Sequence, residues 1–247
     1  MTAIERGRAA APETEAAPTS RLVWDWPVRV FHWGLVVSIL GAYITNRLGV
    51  SYFTYHAFFG YSVLVLVVFR VLWGFVGPRH ARFAAFVKGP LAVLRYIHAN
   101  GRGWATRHAG HNPLGALMVL LLLSLLAAQA AFGLFANDEI LEAGPFASIV
   151  SKTVSLDLTS LHRKLFYVIA GAAALHIGAV LWHWRVKGEN LIAAMITGKK
   201  SAHLVERHEE IRSSRGLRAL ALLLVIGLGL ALLLHFAPPT EFDSAGL

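Results

Sequence analysis

His162 and His176 stand 14 residues apart in the apolar stretch 158–185, LTSLHRKLFYVIAGAAALHIGAVLWHWR. Fourteen residues are close to four α-helical turns, so both imidazoles fall on nearly one face, roughly 21 Å apart along the axis. An ionisable group inside a membrane span is costly and marks a functional site by default. Two histidines at two depths of one helix suit a helix that supplies one axial ligand to each of two stacked haems. Each iron then needs a second imidazole from another helix.

Depth selects the partners. His32 lies near the start of the apolar stretch 27–46, and His56 near the start of the next, 52–76. If the first helix rises and the second descends, His56 sits roughly 20 Å from His32 along the membrane normal. The expected pairs are His56 with His162 at one level and His32 with His176 at the other. His183 competes for the second level, because seven residues beyond His176 it lies on a similar face. It would stretch the two levels to roughly 31 Å, which the first helix does not match. Zinc is a rival metal, but its sites gather three or four N, S or O ligands rather than separated pairs.

The elements that must position these groups are membrane spans. The chain has 247 residues, 56% of them hydrophobic and only 15% charged, which points away from an ordinary soluble domain. Five apolar stretches approach the ~20 residues a span needs: 27–46, 52–76, 114–136, 158–185 and 217–236. Cysteine is absent, so disulfides, thiolate-held clusters and covalent c-type haem attachment are excluded, and any haem must be held non-covalently. Asp25 is a candidate N-cap for the first helix, with Pro27 in its first turn. Trp24, Trp26 and Trp33 are candidates for an interfacial anchor.

Charge orients the spans. Residues 77–112 carry Arg79, Arg82, Lys88, Arg95, Arg102 and Arg107 and no acid, and 186–218 carries seven basic residues. Residues 137–157 carry Asp138, Glu139, Glu142 and Asp157 against Lys152. The positive-inside rule then predicts a cytoplasmic N-terminus, a periplasmic 137–157 loop and a periplasmic C-terminus. The net charge of +9 follows from these loops rather than from a nucleic-acid partner. Within 77–112, PLAVLRYIHANG predicts a short amphipathic segment at the membrane surface. The expected organisation is a disordered cytoplasmic tail over 1–20, a haem-binding membrane domain over 21–200, a cytoplasmic linker over 201–216, and a fifth transmembrane helix with a short periplasmic tail over 217–247.

Arg70, 14 residues after His56, is expected at the depth of His176, where a haem propionate would neutralise it. Arg29 and Arg163, close to His32 and His162, are candidates for the same role or for reaching to headgroups. Gly60, Gly171 and Ala172–Ala174 are small residues beside the histidines, suited either to a flat macrocycle or to close helix packing.

Taken together, VWDWPVRVFHWGLVVSI, YHAFFGYSVLVLVVFRVLWGFVGPRHARF, RHAGHNPLGALMVLLLL, QAAFGLFANDEI and LHRKLFYVIAGAAALHIGAVLWHWRVKGENLIAAMITGKK resemble the bacterial cytochrome b561 family, close to the b-type cytochrome subunit of nickel–iron hydrogenases. The resemblance covers residues 22–200. It implies an all-α integral membrane protein: a four-helix bundle binding one or two haems b, with ligands on helices one, two and four, here joined by a fifth helix outside that unit. His32, His56, His162 and His176 match the iron ligands, with His183 and His111 left open as alternatives. His108 and His111 stand where they could meet a propionate or quinone, or help Asn112 cap the third helix.

The expected function is electron transfer across the bacterial inner membrane, between the quinone pool and a periplasmic c-type cytochrome or other redox subunit such as a hydrogenase. Two readings compete with it. One is a stand-alone quinone-linked oxidoreductase similar to superoxide oxidase, against which the acidic 137–157 loop argues. The other is a cofactor-free membrane anchor or transporter, which a visible spectrum would separate at once.

Overall fold

The computed structural model describes residues 19–101, 108–140 and 142–239. Most of the expected N-terminal tail, Arg102 and Arg107 of the basic loop, and residues 240–247 of the C-terminal tail lie outside the described residues. In chain order the elements are β1 (Ser20–Leu22), α1 (Trp26–Leu48), α2 (Phe53–Val76), α3 (Phe83–Phe86), α4 (Pro90–Gly101), α5 (Pro113–Leu134), α6 (Lys152–Lys187), α7 (Leu191–Thr197), β2 (Lys199–Ser201) and α8 (Gly216–His235). Among the described residues, five helices are long and apolar enough to cross a membrane: α1, α2, α5, α6 and α8. The protein is thus an all-α integral membrane protein. α4 coincides with the segment PLAVLRYIHANG.

Local chemistry sets the helix ends. Asp25 caps α1, its Oδ1 accepting the Val28 N–H at 3.0 Å, and Pro27 fills a first-turn position whose N–H would have no helical partner. Asn112 caps α5 in the same way through Gly115 N–H at 2.8 Å. Ser151 caps α6, which therefore starts earlier than the apolar run 158–185 suggests. Asp157 consequently belongs to the helix and not to the acidic loop. α6 ends at Gly188, whose φ of 68° is the left-handed conformation glycine adopts without strain. Its 36 residues span roughly 54 Å, well beyond a hydrocarbon core of ~30 Å.

α2 is the central helix. It packs on α1 and α5, and α6 packs on α5. Val63, Val67, Phe69 and Trp73 of α2 form the middle of the core with Val28 and Phe31 of α1 and Leu123 and Leu126 of α5. α8 lies on the outer side of α2, with a smaller contact to α1. The backbone of α6 makes no comparable approach to α1 or α2, so a slot separates these helices. Side chains bridge it, as where Tyr43 and Phe166 stack with centroids 5.2 Å apart.

One end of the bundle is capped by folded chain. β1 and β2 pair antiparallel, Arg21 opposite Lys200, so Ser20 is a strand residue although it falls in the tail expected over 1–20. Val23 N–H and Trp24 N–H both donate to Gly198 O, and Ile211 N–H donates to Leu22 O. Arg79 donates to His208 O at 3.0 Å, and Arg215 donates to Val76 O at 2.8 Å. Residues 201–216, expected as a linker, are thus bound back onto the bundle. Trp24 is buried in this cap at 5% exposure, which removes it from the expected interfacial anchor, whereas Trp26 and Trp33 are exposed. At the far end, residues 135–151 fold onto α6: Ser155 Oγ donates to Phe135 O at 2.6 Å, and Asn137 N–H donates to Thr159 Oγ1 at 2.9 Å.

Candidate functional site

The slot brings four histidines together in twos. Near the far end, His56 of α2 faces His162 of α6 with ring centroids 6.2 Å apart. Near the capped end, His32 of α1 faces His176 of α6 at 6.4 Å. A first-row metal–imidazole bond is about 2.0–2.1 Å and the ring nitrogen sits roughly 1.1 Å from its centroid, so two imidazoles trans across one iron have centroids about 6.3 Å apart. Both pairs have that spacing. Among the described residues, no three His, Cys, Asp or Glu converge at metal-binding distances.

Hydrogen bonding decides which nitrogen is available. His56 Nδ1 lies 2.8 Å from Ala42 O, and His162 Nδ1 lies 2.9 Å from Gln129 O. A nitrogen facing a carbonyl must carry the proton, which leaves Nε2 with its lone pair, the second-shell pattern of ligating histidines; at His162 the Gln129 side-chain Nε2 lies 3.3 Å from that nitrogen. Two glycines make it sterically feasible. A Cβ at Gly133 would stand 3.1 Å from His162 Cε1, and one at Gly41 would stand 2.6 Å from the Phe59 ring beside Ala42. At the capped-end pair, His32 Nδ1 is sealed from solvent with no partner. A Cβ at Gly60 or Gly171 would meet nothing within 4 Å, so helix contact is not what requires those glycines. The donors, their spacing and the slot fit a bis-imidazole haem at each level.

Arg70 lies at the capped end, 2% exposed. Its guanidinium stands over Phe83 and Phe86, 5.1 and 5.8 Å from their centroids, and both terminal nitrogens are sealed and without hydrogen-bond partners. An acid is nevertheless near. Asp25, just outside α1, is 1% exposed, accepts from Trp73 Nε1 at 3.1 Å and interacts electrostatically with Arg70. Burial pushes the Asp25 carboxyl above its ordinary range, although the Val28 and Trp73 donors and Arg70 oppose this. Arg70 thus has a carboxyl neighbour just outside the spans, yet both of its terminal nitrogens lack a hydrogen-bond partner.

His111 joins the same cluster. Its ring lies between Trp24 and Phe86, 4.7 and 4.6 Å from their centroids, and its Nδ1 is sealed without a partner. Burial, with Arg70 and Lys200 nearby, lowers its pKa to about 3, so the ring is neutral at physiological pH.

The remaining candidates lie elsewhere. Arg29 donates to Thr197 O at 3.2 Å, which ties α1 to the end of α7. Arg163 is exposed and lines a polar pocket with Asn137, Asp138, Thr159 and Lys164. His183 lies below His176 on α6, its Nδ1 3.7 Å from a Glu189 oxygen. His108 stacks edge-on with Tyr96 at 5.6 Å, while Asn112 alone supplies the cap of α5.

Sequence reasoning passed over Gln129, Glu189 and Lys200. The signal for Gln129 was a lone amide within the apolar run LLLLSLLAAQAAFGL. Lys200 and Glu189 read as ordinary loop charges in the sequence, whereas the fold pairs them, with Lys200 buried and Glu189 half-buried.

Comparison with known proteins bears on this site. The family model described as prokaryotic cytochrome b561 matches residues 23–198, a span holding α1, α2, α5 and α6 and excluding α8. A protein named probable Ni/Fe-hydrogenase B-type cytochrome subunit from Rhizobium leguminosarum bv. viciae is 26% identical over 212 residues, covering 72% of this chain and 87% of the relative. A probable Ni/Fe-hydrogenase 1 B-type cytochrome subunit from Escherichia coli (strain K12) is 26% identical over 216 residues, covering 74% and 91%.

Proposed function

The chain belongs to the prokaryotic cytochrome b561 family, and from that premise we propose that it holds two haems b, one above the other, and passes electrons between quinone and a redox partner across the bacterial inner membrane. The coarser part of this reading follows from the family: a multi-pass membrane b-type cytochrome that transfers electrons. The observation that carries the finer part is the pair of imidazole couples at 6.2 and 6.4 Å, each at the spacing of two axial ligands on one iron.

His56 with His162, and His32 with His176, would hold the irons. Arg70 would take a propionate of the haem at the capped end, and His111 would border that haem. Arg29 and Arg163 are weaker candidates for propionates, since Arg29 already serves Thr197 O and Arg163 faces the polar pocket. The haem, when bound, supplies one-electron chemistry. Two imidazoles per iron would leave no open coordination position, so the protein sets spacing, potential and access.

The charge pattern supports the orientation. The capped end, with its basic loops, is read as cytoplasmic, and the 135–151 loop as periplasmic. The N-terminus then lies in the cytoplasm and α8 takes the C-terminus outside. The partner would meet the periplasmic loop and be a hydrogenase, as in the names of the relatives, or a c-type cytochrome. Quinone would react at the capped end. A second reading, a stand-alone oxidoreductase of small anions such as superoxide, draws only on Arg163 and Lys164 in the polar pocket, where Asp138 and Glu139 oppose them.

Haem analysis of single variants tests the reading. The purified protein should give a low-spin b-type spectrum with about two acid-extractable haems per chain. His56→Ala and His162→Ala should remove one and the same haem, His32→Ala and His176→Ala the other, and His183→Ala neither. Retention of both haems in His176→Ala, or a protein that binds none, would end it.

A further inference from the structure

The slot between α6 and the α1–α2 pair has no close backbone approach to fix its width, so side chains must fix it. Among the described residues, three ring contacts cross it: His32 with His176, His56 with His162, and Tyr43 with Phe166. The first two are the candidate axial couples. The third contains no ligand and is the flattest, with ring planes 3° apart and centroids at 5.2 Å. Parallel rings at that separation are offset-stacked, an arrangement their quadrupoles favour.

Depth counts from both helices agree on where the stack lies. Tyr43 is 11 residues beyond His32 on α1, and Phe166 is 10 residues short of His176 on α6. Both therefore stand roughly 15–16 Å from the capped-end level. Phe166 follows His162 by four residues, which puts the two side chains on one face of α6, one turn apart. A helical side chain leans toward the helix N-terminus, so the Phe166 ring leans toward His162. The stack crosses the slot between the two levels, close under the far-end one. On its other side the half-buried Phe166 meets Tyr167 edge-on at 5.5 Å.

Tyr43 projects from a fixed platform. Gly41 lets the Phe59 ring of α2 lie against α1, since a Cβ there would stand 2.6 Å from that ring. Ala42 O lies 2.8 Å from His56 Nδ1 and accepts its proton. Three consecutive residues thus lock α1 to α2, orient one far-end imidazole and reach across to the helix that carries the other.

We propose that Tyr43 and Phe166 are positioning residues for the far-end haem. Their stack forms the floor of its chamber, divides the slot into two chambers of one macrocycle each, and holds α6 at the spacing that lets His56 and His162 share an iron. The inference rests on the two-haem reading of the function. Neither residue touches the iron; both act through the ligands and the shape of the chamber. Removing either ring should loosen the far-end haem and leave the capped-end haem in place.

The test uses the full-length haem-loaded protein in detergent, with an excess of apomyoglobin as haem acceptor. Transfer of each haem is followed by absorbance. His56→Ala, which should keep only the capped-end haem, supplies the reference that assigns the two phases. Tyr43→Ala and Phe166→Ala should release the far-end haem on the order of 10–100-fold faster than wild type, the range lost when groups that orient metal ligands are removed. The capped-end phase should keep its wild-type rate. Tyr43→Phe, which retains the ring, should match wild type. In the alanine variants the low-spin EPR signal of the far-end iron should shift or give way to a high-spin one before haem is lost. Where an alanine variant does not accumulate, Tyr43→Leu and Phe166→Leu carry the same expectation, because leucine fills space without stacking. Wild-type release of both haems from these variants would overturn the proposal. Equal acceleration of both haems would do so too, since the stack would then be a general fold contact. So would Tyr43→Phe releasing haem as fast as Tyr43→Ala, which would move the role to the hydroxyl. A wild type with fewer than two haems would instead remove the two-haem reading itself, and the two chambers with it.

Discussion

His56 and His162 meet across the slot with ring planes at 81° and centroids 6.2 Å apart, and each turns its Nδ1 to a main-chain carbonyl of a neighbouring helix, Ala42 O and Gln129 O. Main-chain acceptors hold both rings, and at His162 the Gln129 side-chain Nε2 also lies 3.3 Å from the ring Nε2. The ring orientation is therefore set by how α1 meets α2 and how α5 meets α6.

Gly133 is the sensitive point of that arrangement. A Cβ there would lie 3.1 Å from His162 Cε1 and 3.3 Å from Nδ1, so a leucine side chain must push the imidazole aside. Gly133→Leu should abolish the haem of the His56–His162 level and spare the other, with an overpacking cost of about 1–3 kcal/mol in stability. Haem content by pyridine haemochrome, with a redox titration to identify the survivor, checks this.

Arg70 should set the potential of the other haem. A nearby positive charge favours the reduced form, so its removal lowers the midpoint potential. One tenfold change in the redox equilibrium corresponds to about 59 mV for one electron. Arg70→Gln should shift one of two midpoints downward by up to that amount and leave the other unchanged in an optical redox titration.

His111 gives a pH signature in stability. Its folded pKa, about 3, lies below the unfolded value near 6.5. Between these values the unfolded chain binds the extra proton, so stability rises with pH in that window. The contribution is complete above about pH 6.5 and is lost as pH falls toward about 3. Detergent-solubilised His111→Gln should show a flatter acid limb of thermal stability than wild type over that window and the same curve above pH 7.

The far-end loop should matter for partner encounter. Asp138, Glu139 and Glu142 lie there, with Glu139 2.9 Å from Lys152. Neutralising all three should slow electron exchange with a basic c-type cytochrome at low ionic strength, with the difference from wild type shrinking as salt screens it. Ferricyanide kinetics should not move. Rates equal to wild type at low salt would remove the loop from recognition.

The spans were legible in the sequence because a bilayer demands continuous apolar runs of known length, and α1, α2, α5 and α8 differ from those runs by at most two residues at either end. The caps at Asp25 and Asn112 were legible for a similarly local reason: a short polar side chain followed by proline leaves few alternatives. α6 exceeded its apolar run because Ser151 and the polar turns after it form helix against Phe135 and Asn137, which hydropathy does not see.

Four histidines could be singled out by depth, since helical rise is fixed at 1.5 Å per residue. Their ring-to-ring distances and the carbonyls that hold them came only from tertiary structure. Rise along an axis says nothing of rotation about it or of the gap between helices. The cap at one end was wholly hidden, because β1 and β2 are three-residue strands joined across most of the chain, and no local pattern announces such a pairing. Lys200 changed from a loop charge to a buried one, paired with the half-buried Glu189, by that pairing alone. Sequence by itself thus determined how many times this chain can cross a membrane and at which depths its imidazoles stand. Tertiary packing decided which imidazoles face each other, where Arg70 finds Asp25, and which charges are sealed beneath the cap, because these depend on distances between segments that the chain order leaves free.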